Sequence, residues 1–130
     1  DWALVRLDRP VKNRTPIDIY KNHDLKNTNK LTLIGHPMGL PKKIAHNGLF
    51  GGREKNGLML MANLDAYGGN SGSPVFDSKT GTVIGILVGS GVREAKFHGQ
   101  LGCWMSNRIP DDAASERISP INHVLPWIKK

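Results

Sequence analysis

The sequence predicts an all-β domain of short strands closed by one short C-terminal helix. Three observations predict it. Brief apolar stretches rich in Val, Ile and Leu recur along the chain, each bounded by turn-forming residues. Fifteen glycines and eight prolines are scattered rather than clustered, as many tight connections require. Only near the end does apolar spacing change from a strand pattern to a helical one.

Residues 2–7 (Trp-Ala-Leu-Val-Arg-Leu) are apolar and partly β-branched, and read as a strand buried on both faces. Residues 10–30 hold two prolines and several asparagines and charges, and read as loop. Residues 31–35 form the next strand, which His36-Pro37-Met38-Gly39-Leu40-Pro41 interrupts. Residues 43–50 and 58–64 read as strands with Gly51-Gly52 in the turn between them. Residues 74–76 and 82–88 make a hairpin around Asp77-Ser78-Lys79-Thr80-Gly81, a loop with the length and glycine a hairpin wants. Ile121, Val124, Leu125 and Ile128 follow the spacing of an amphipathic helix, with Ser119-Pro120 as cap and first turn. Pro126 removes one helical hydrogen bond, so a short, distorted helix is expected.

A length of 130 residues suits one domain, and 38% apolar with 22% charged residues is ordinary for a globular protein. No apolar run reaches the roughly 18 residues of a membrane span, and no membrane partner is expected. The chain starts at Asp rather than Met and has no signal peptide, so a processed product, a truncated piece or a fragment is expected. The formal charge is +7, but the basic residues are dispersed. Lys42-Lys43 and Lys129-Lys130 are the adjacent basic pairs, with no aromatic interleaving, so solvated surface is favoured and no nucleic-acid partner is expected. The single cysteine, Cys103, excludes an internal disulfide. It is read as a buried free thiol, with a bridge to another segment as the alternative. The histidines His23, His36, His46, His98 and His123 are too dispersed for a metal site, and no metal or cofactor is expected.

The chemistry concentrates in Asp65-Ala-Tyr-Gly-Gly-Asn-Ser-Gly-Ser-Pro-Val-Phe76, where Gly68, Gly69 and Gly72 surround Ser71. Glycine opens backbone conformations closed to other residues. Successive N–H groups in such a turn can converge on one concavity that holds an anion. Attack of a serine hydroxyl on a carbonyl creates such an anion, and one fixed donor lowers the barrier by about 3 kcal/mol. Composition alone is equally consistent with a Gly-Ser turn between two strands.

Gly69-Asn70-Ser71-Gly72-Ser73-Pro74-Val75 resembles the nucleophile loop of the trypsin-like (chymotrypsin-fold) serine endopeptidases. Its Asn70 form is similar to that of the bacterial branch, which includes glutamyl endopeptidases; animal trypsins have Asp at this place. The resemblance implies Ser71 as nucleophile and the N–H groups of Gly69 and Ser71 as oxyanion hole. Asp1-Trp-Ala-Leu-Val-Arg-Leu7 is similar to the family strand whose aspartate orients the catalytic imidazole, which implies Asp1 as the triad carboxylate. Gly85-Ile-Leu-Val-Gly-Ser-Gly91 falls where the family's substrate-pairing strand lies, which implies substrate contacts at Val88, Gly89 and Ser90. Residues 34–44 and the closing 124–128 also resemble bacterial members.

The family fold is two β-barrels with the site between them. On this resemblance residues 1–9 are the last strand of the first barrel, 10–30 an inter-barrel linker, 31–118 the second barrel and 119–130 the C-terminal helix. The family's chain order is His, Asp, Ser. Here every histidine follows Asp1, and none stands at a catalytic position. The expectation is a fragment without its general base, inactive alone, whose partners are a protein or peptide substrate and either a missing N-terminal barrel carrying the imidazole or another chain pairing with the open edge of residues 2–7. A secreted or periplasmic location goes with the resemblance.

In animal trypsins an aspartate six residues before the serine selects Arg or Lys, which implies cleavage after basic residues through Asp65. The cysteines flanking that pocket in animal trypsins are absent here, which leaves open a different loop path in which Asp65 caps a turn. Glutamyl specificity is the rival; bacterial relatives use a histidine in the substrate strand, where this chain has Leu87. A different class of function, a non-catalytic module that holds a peptide along 88–90 by strand addition, also remains open.

Overall fold

The computed structural model describes residues 1–130 apart from 22–23, 27–28, 92–94, 108, 111, 114 and 129–130. The described residues form eight strands: β1 (Lys30–Gly35), β2 (Lys43–Arg53), β3 (Leu60–Asn63), β4 (Pro74–Asp77), β5 (Val83–Ser90), β6 (Ala95–His98), β7 (Cys103–Ser106) and β8 (Glu116–Pro120). Six close into an antiparallel barrel in the order β1-β2-β3-β8-β5-β4, while β6 and β7 form a separate hairpin. Single-residue 2-fold alternation explains the barrel's interior. Leu31 and Leu33 of β1, Leu60 and Ala62 of β3, and Ile118 of β8 turn inward and meet Phe50, Leu64, Val75, Ile84 and Leu87 in one core. Burying each large aliphatic side chain contributes roughly 1.5–3 kcal/mol.

The hairpin from β4 to β5 forms where the turn residues placed it. Asp77 Oδ1 accepts from the amides of Lys79 and Thr80 at 2.8 and 2.9 Å, and the Gly81 amide donates to the Asp77 carbonyl at 2.9 Å. Asn29 Nδ2 donates to Asp77 Oδ2 at 2.8 Å, tying the turn to the start of β1. Asp77 is therefore a buried acid fully engaged as a local cap.

Several expectations are corrected. Gly51-Gly52 is not a turn: β2 runs through it to Arg53, because a register shift at Gly52, with φ +112°, absorbs the extra residue as a bulge. The chain reverses later, where the Gly57 amide donates to the Glu54 carbonyl at 2.8 Å. Residues 2–7 form no strand, and Leu4 and Val5 are 51% and 75% exposed. An extended segment needs a neighbour's donors and acceptors, and the closed barrel offers no free edge to supply them. Residues 18–20 do touch the barrel, through Tyr20 N–H to the Val83 carbonyl and Val83 N–H to the Asp18 carbonyl, both at 2.9 Å.

The C-terminal helix is two 3₁₀ turns, Ile121–His123 and Leu125–Trp127, rather than one α-helical stripe. Pro126 lacks the amide an α-helix would need there, and the surviving bonds span three residues, such as Trp127 N–H to the Val124 carbonyl at 2.9 Å. Val124 is buried while Trp127 and Ile128 are exposed. Ser119 and Pro120 belong to β8, not to a cap, because they pair with Ile86 and Gly85. Cys103 is exposed on β7, not buried, since its two-stranded hairpin has only one layer to cover it.

Candidate active site

The loop joining β3 to β4 folds as two successive turns. The Asn70 amide donates to the Tyr67 carbonyl at 3.1 Å, and the Ser73 amide to the Asn70 carbonyl at 2.9 Å. The third residue of each turn is glycine at positive φ, Gly69 at +92° and Gly72 at +86°, as type II turns demand. Ser71 sits between them and is exposed. Asn70 points the opposite way and is 2% exposed. It fits because Gly35 has no side chain: a Cβ there would come within 2.3 Å of Asn70 Oδ1 and 2.4 Å of Ser73 Oγ.

Two further ties fix the loop. On one side the Gly72 amide donates to the Leu87 carbonyl at 2.8 Å, and the Leu87 amide to the Ser73 carbonyl at 2.9 Å, extending the β4–β5 ladder. On the other side the Met38 amide donates to the Gly68 carbonyl at 2.6 Å, from a 3₁₀ turn, Pro37–Gly39. Carbonyl and amide of a trans peptide point in opposite directions. The Gly69 N–H therefore points away from the 37–39 turn. Among the described residues neither the Gly69 nor the Ser71 N–H has an acceptor, whereas the Gly72 N–H is committed to Leu87. Two amides beside an exposed hydroxyl are what an anion-accepting nest requires.

The Ser71 hydroxyl donates to the Val88 carbonyl at 3.1 Å. Between Leu87 and Gly89 the register of β5 against β8 shifts, so Val88 has no Cα partner on β8. The bulge thus leaves its carbonyl available to the serine. Val88, Gly89 and Ser90 are half-buried beside the loop, and Gly89 and Ser90 pair with Arg117 and Glu116 of β8.

Other candidate residues are placed differently. No hydrogen bond or ion pair joins Asp1 to the rest of the described chain, Ser71 included. Residues 4–6 instead share an open hollow with Trp127 and Ile128. Of the histidines, His36 Nδ1 contacts the Leu40 carbonyl at 3.2 Å and His46 Nδ1 contacts Thr32 Oγ1 at 3.3 Å. His98 lies on β6, His123 ends a 3₁₀ turn, and His23 lies outside the described residues. None of the described four hydrogen-bonds to Ser71. Among the described residues no cluster of His, Cys, Asp and Glu could hold a metal ion.

Next to the loop lies a cavity of about 370 Å³ whose wall includes Asp65, Tyr67, Ser106, Ser115 and Glu116. The Tyr67 and Ser106 hydroxyls hydrogen-bond to each other across it, joining the serine loop to β7. Asp65 is exposed at its edge and also borders a second hollow with His46, so it does not form a buried pocket floor. Glu116, which sequence reasoning missed, is 3% exposed. The signal was alternation: Glu116 and Ile118 share one face of β8, so an acid stands at an inward position.

A family model described as a trypsin-like peptidase domain matches residues 1–86, a span containing Asp1, the whole Ser71 loop and the first half of β5. No curated protein matches the sequence.

Proposed function

The chain belongs to the family of trypsin-like peptidase domains, and from that membership we propose that it works as a serine endopeptidase with Ser71 as nucleophile. The observation that carries this reading is the arrangement at residues 68–72: an exposed hydroxyl flanked by two amides without acceptors among the described residues. Ser71 Oγ adds to the carbonyl carbon of the scissile peptide while its proton passes to an imidazole. The carbonyl oxygen becomes an oxyanion, received by the N–H groups of Gly69 and Ser71. Collapse expels the amine, which takes the proton from the imidazolium and leaves an acyl-enzyme on Ser71. Water, deprotonated by the same imidazole, then releases the acid and restores the hydroxyl.

We assign Asp1 to orient that imidazole and place the imidazole itself outside these 130 residues. The support is that His36 and His46 are engaged with other partners, and that neither His98 nor His123 hydrogen-bonds to Ser71. Without a base, a serine hydroxyl is a weak nucleophile, so the chain alone is expected to turn over negligibly. The Asn70 form of the loop supports a place near the bacterial branch that includes glutamyl endopeptidases, and with it a secreted or periplasmic location.

Labelling with a fluorophosphonate tests the reading in the active protein. Covalent modification at Ser71, abolished in Ser71→Ala, is expected. A protein that binds peptide yet never labels would instead support a peptide-holding module using 88–90. One observation favours that second reading: the Ser71 hydroxyl is bonded to Val88 rather than to a described imidazole.

A further inference from the structure

We propose that the β6–β7 hairpin is a substrate-binding arm, on which Phe97 and Trp104 hold an aromatic side chain of the peptide remote from the bond that is cut. This rests on the peptidase reading and adds a second contact and a substrate class to it. The hairpin stands outside the six-stranded barrel and beyond residue 86, where the match to the family model ends. Phe97 and Trp104 are directly opposite each other on the two strands, with ring centroids 5.7 Å apart and planes at 65°. They nonetheless remain 56% and 67% exposed, so the pair presents apolar surface to solvent. A two-stranded sheet is marginally stable alone, so a guest packed on the rings would also order the hairpin.

The pleat decides which way the rings face. Side chains two residues apart on a strand share a side of the sheet. Ala95 and Ser106 are opposite each other, two residues from Phe97 and Trp104, and so share the aromatic side. On that side the Ser106 hydroxyl is hydrogen-bonded to the Tyr67 hydroxyl, and Tyr67 begins the turn that presents Ser71. The aromatic side is thus the one turned toward the serine loop. β5 leads to the same place: Val88 accepts from the Ser71 hydroxyl, the strand ends at Ser90, and β6 starts at Ala95. A peptide laid along 88–90 from Ser71 runs toward the hairpin. An extended chain advances about 3.4 Å per residue, so the side chain that meets the rings lies roughly three or more positions from the attacked carbonyl. The rings offer apolar area without charge, and their faces and edges favour another ring as guest.

Titration calorimetry of blocked Ala-Ser peptides of about ten residues against the Ser71→Ala chain tests this without turnover. One peptide carries a single Phe, and its control carries Ala in that place. The Phe peptide is expected to bind about tenfold more tightly than its control. Trp104→Thr keeps strand preference but removes the ring, and is expected to cut that advantage to below about threefold, with Trp104→Tyr restoring most of it. Equal binding of the two peptides, or an undiminished advantage in Trp104→Thr, overturns the proposal. Should Trp104→Thr unravel the hairpin, Phe97→Leu keeps apolar bulk without the ring and is expected to lower the advantage severalfold; no change overturns the proposal. In the active protein the cut is expected roughly three or more residues from the Phe, and a cut directly beside it overturns the proposal. A complete protein that shows the Phe advantage but never labels at Ser71 with fluorophosphonate sinks the peptidase reading and leaves the arm standing. Labelling and cleavage without a Phe advantage sink the arm alone. Self-association lost in Trp104→Thr, with no Phe advantage, gives the rings to a second copy of the chain and likewise overturns the proposal.

Discussion

The Ser71 hydroxyl donates its proton to the Val88 carbonyl at 3.1 Å, at the point where β5 slips one residue against β8. The bulge and the Ser71 hydroxyl are thus coupled: without the slip, the Val88 carbonyl would be committed to the barrel ladder. The hydroxyl is held in place but not activated, since a carbonyl oxygen cannot take up its proton.

Replacing Ser71 by Ala removes the attacking oxygen. In the active protein kcat is expected to fall on the order of 10⁶-fold, as when a nucleophile is removed from an intact triad. Because Ser71 is exposed, the thermal midpoint should move little. Steady-state kinetics and a melting curve on one preparation check both halves.

Asp1→Asn separates the assigned role from a merely terminal residue. Loss of the orienting carboxylate is expected to lower kcat by about 10⁴ near neutral pH. Asp1 is exposed and makes no bond in the described chain, so folding stability should be unchanged. A decrease below tenfold would remove Asp1 from the mechanism.

Gly35→Ala should damage the loop from beneath. The added methyl would sit 2.3 Å from Asn70 Oδ1 and 2.4 Å from Ser73 Oγ, both on a constrained turn. Overpacking of this kind costs about 1–3 kcal/mol. Urea denaturation is expected to show that loss, with Ser71 labelling reduced even in the folded fraction.

The turn acid Asp77 gives a pH dependence with a definite sign. Burial alone would raise its pKa, but donation by the Thr80 amide, Asn29 side chain, Lys79 amide and Thr80 hydroxyl outweighs burial and holds it below the ordinary 3.8. Its stabilising contribution is fully present above 3.8 and is lost as pH falls through the lower folded value. Wild-type stability should therefore drop more steeply below about pH 4 than that of Asp77→Asn, measured by denaturant midpoints across the acid range.

The Ser71 loop was legible because its chemistry is local: the hydroxyl and both amides lie within a few consecutive residues, and glycine at 69 and 72 is visible as text. The hairpin at Asp77 was legible for the same reason. Gly51-Gly52 misled because a bulge and a turn draw on the same residue, and only the partner strand β3 decides between them. Residues 2–7 misled because apolar character states that a segment should be covered, not by what. The spatial relation of Glu116 to Asp65 is long-range and depends on β8 inserting between β3 and β5, an order that residue spacing does not reveal. The same applies to Val88, whose carbonyl is freed by register rather than by residue type.

The uncovered N-terminal stretch has a consequence for how long the molecule survives proteolysis. Residues 1–17 are exposed throughout and outside the barrel, and they carry Arg6, Arg9, Lys12 and Arg14. An extended, solvent-accessible run of this kind is the form in which peptidases in general accept a chain. On the role proposed for Asp1, a cut within this stretch would sever it from Ser71 and silence the molecule. A partner that covered those residues would act as a guard against cleavage as well as a structural neighbour.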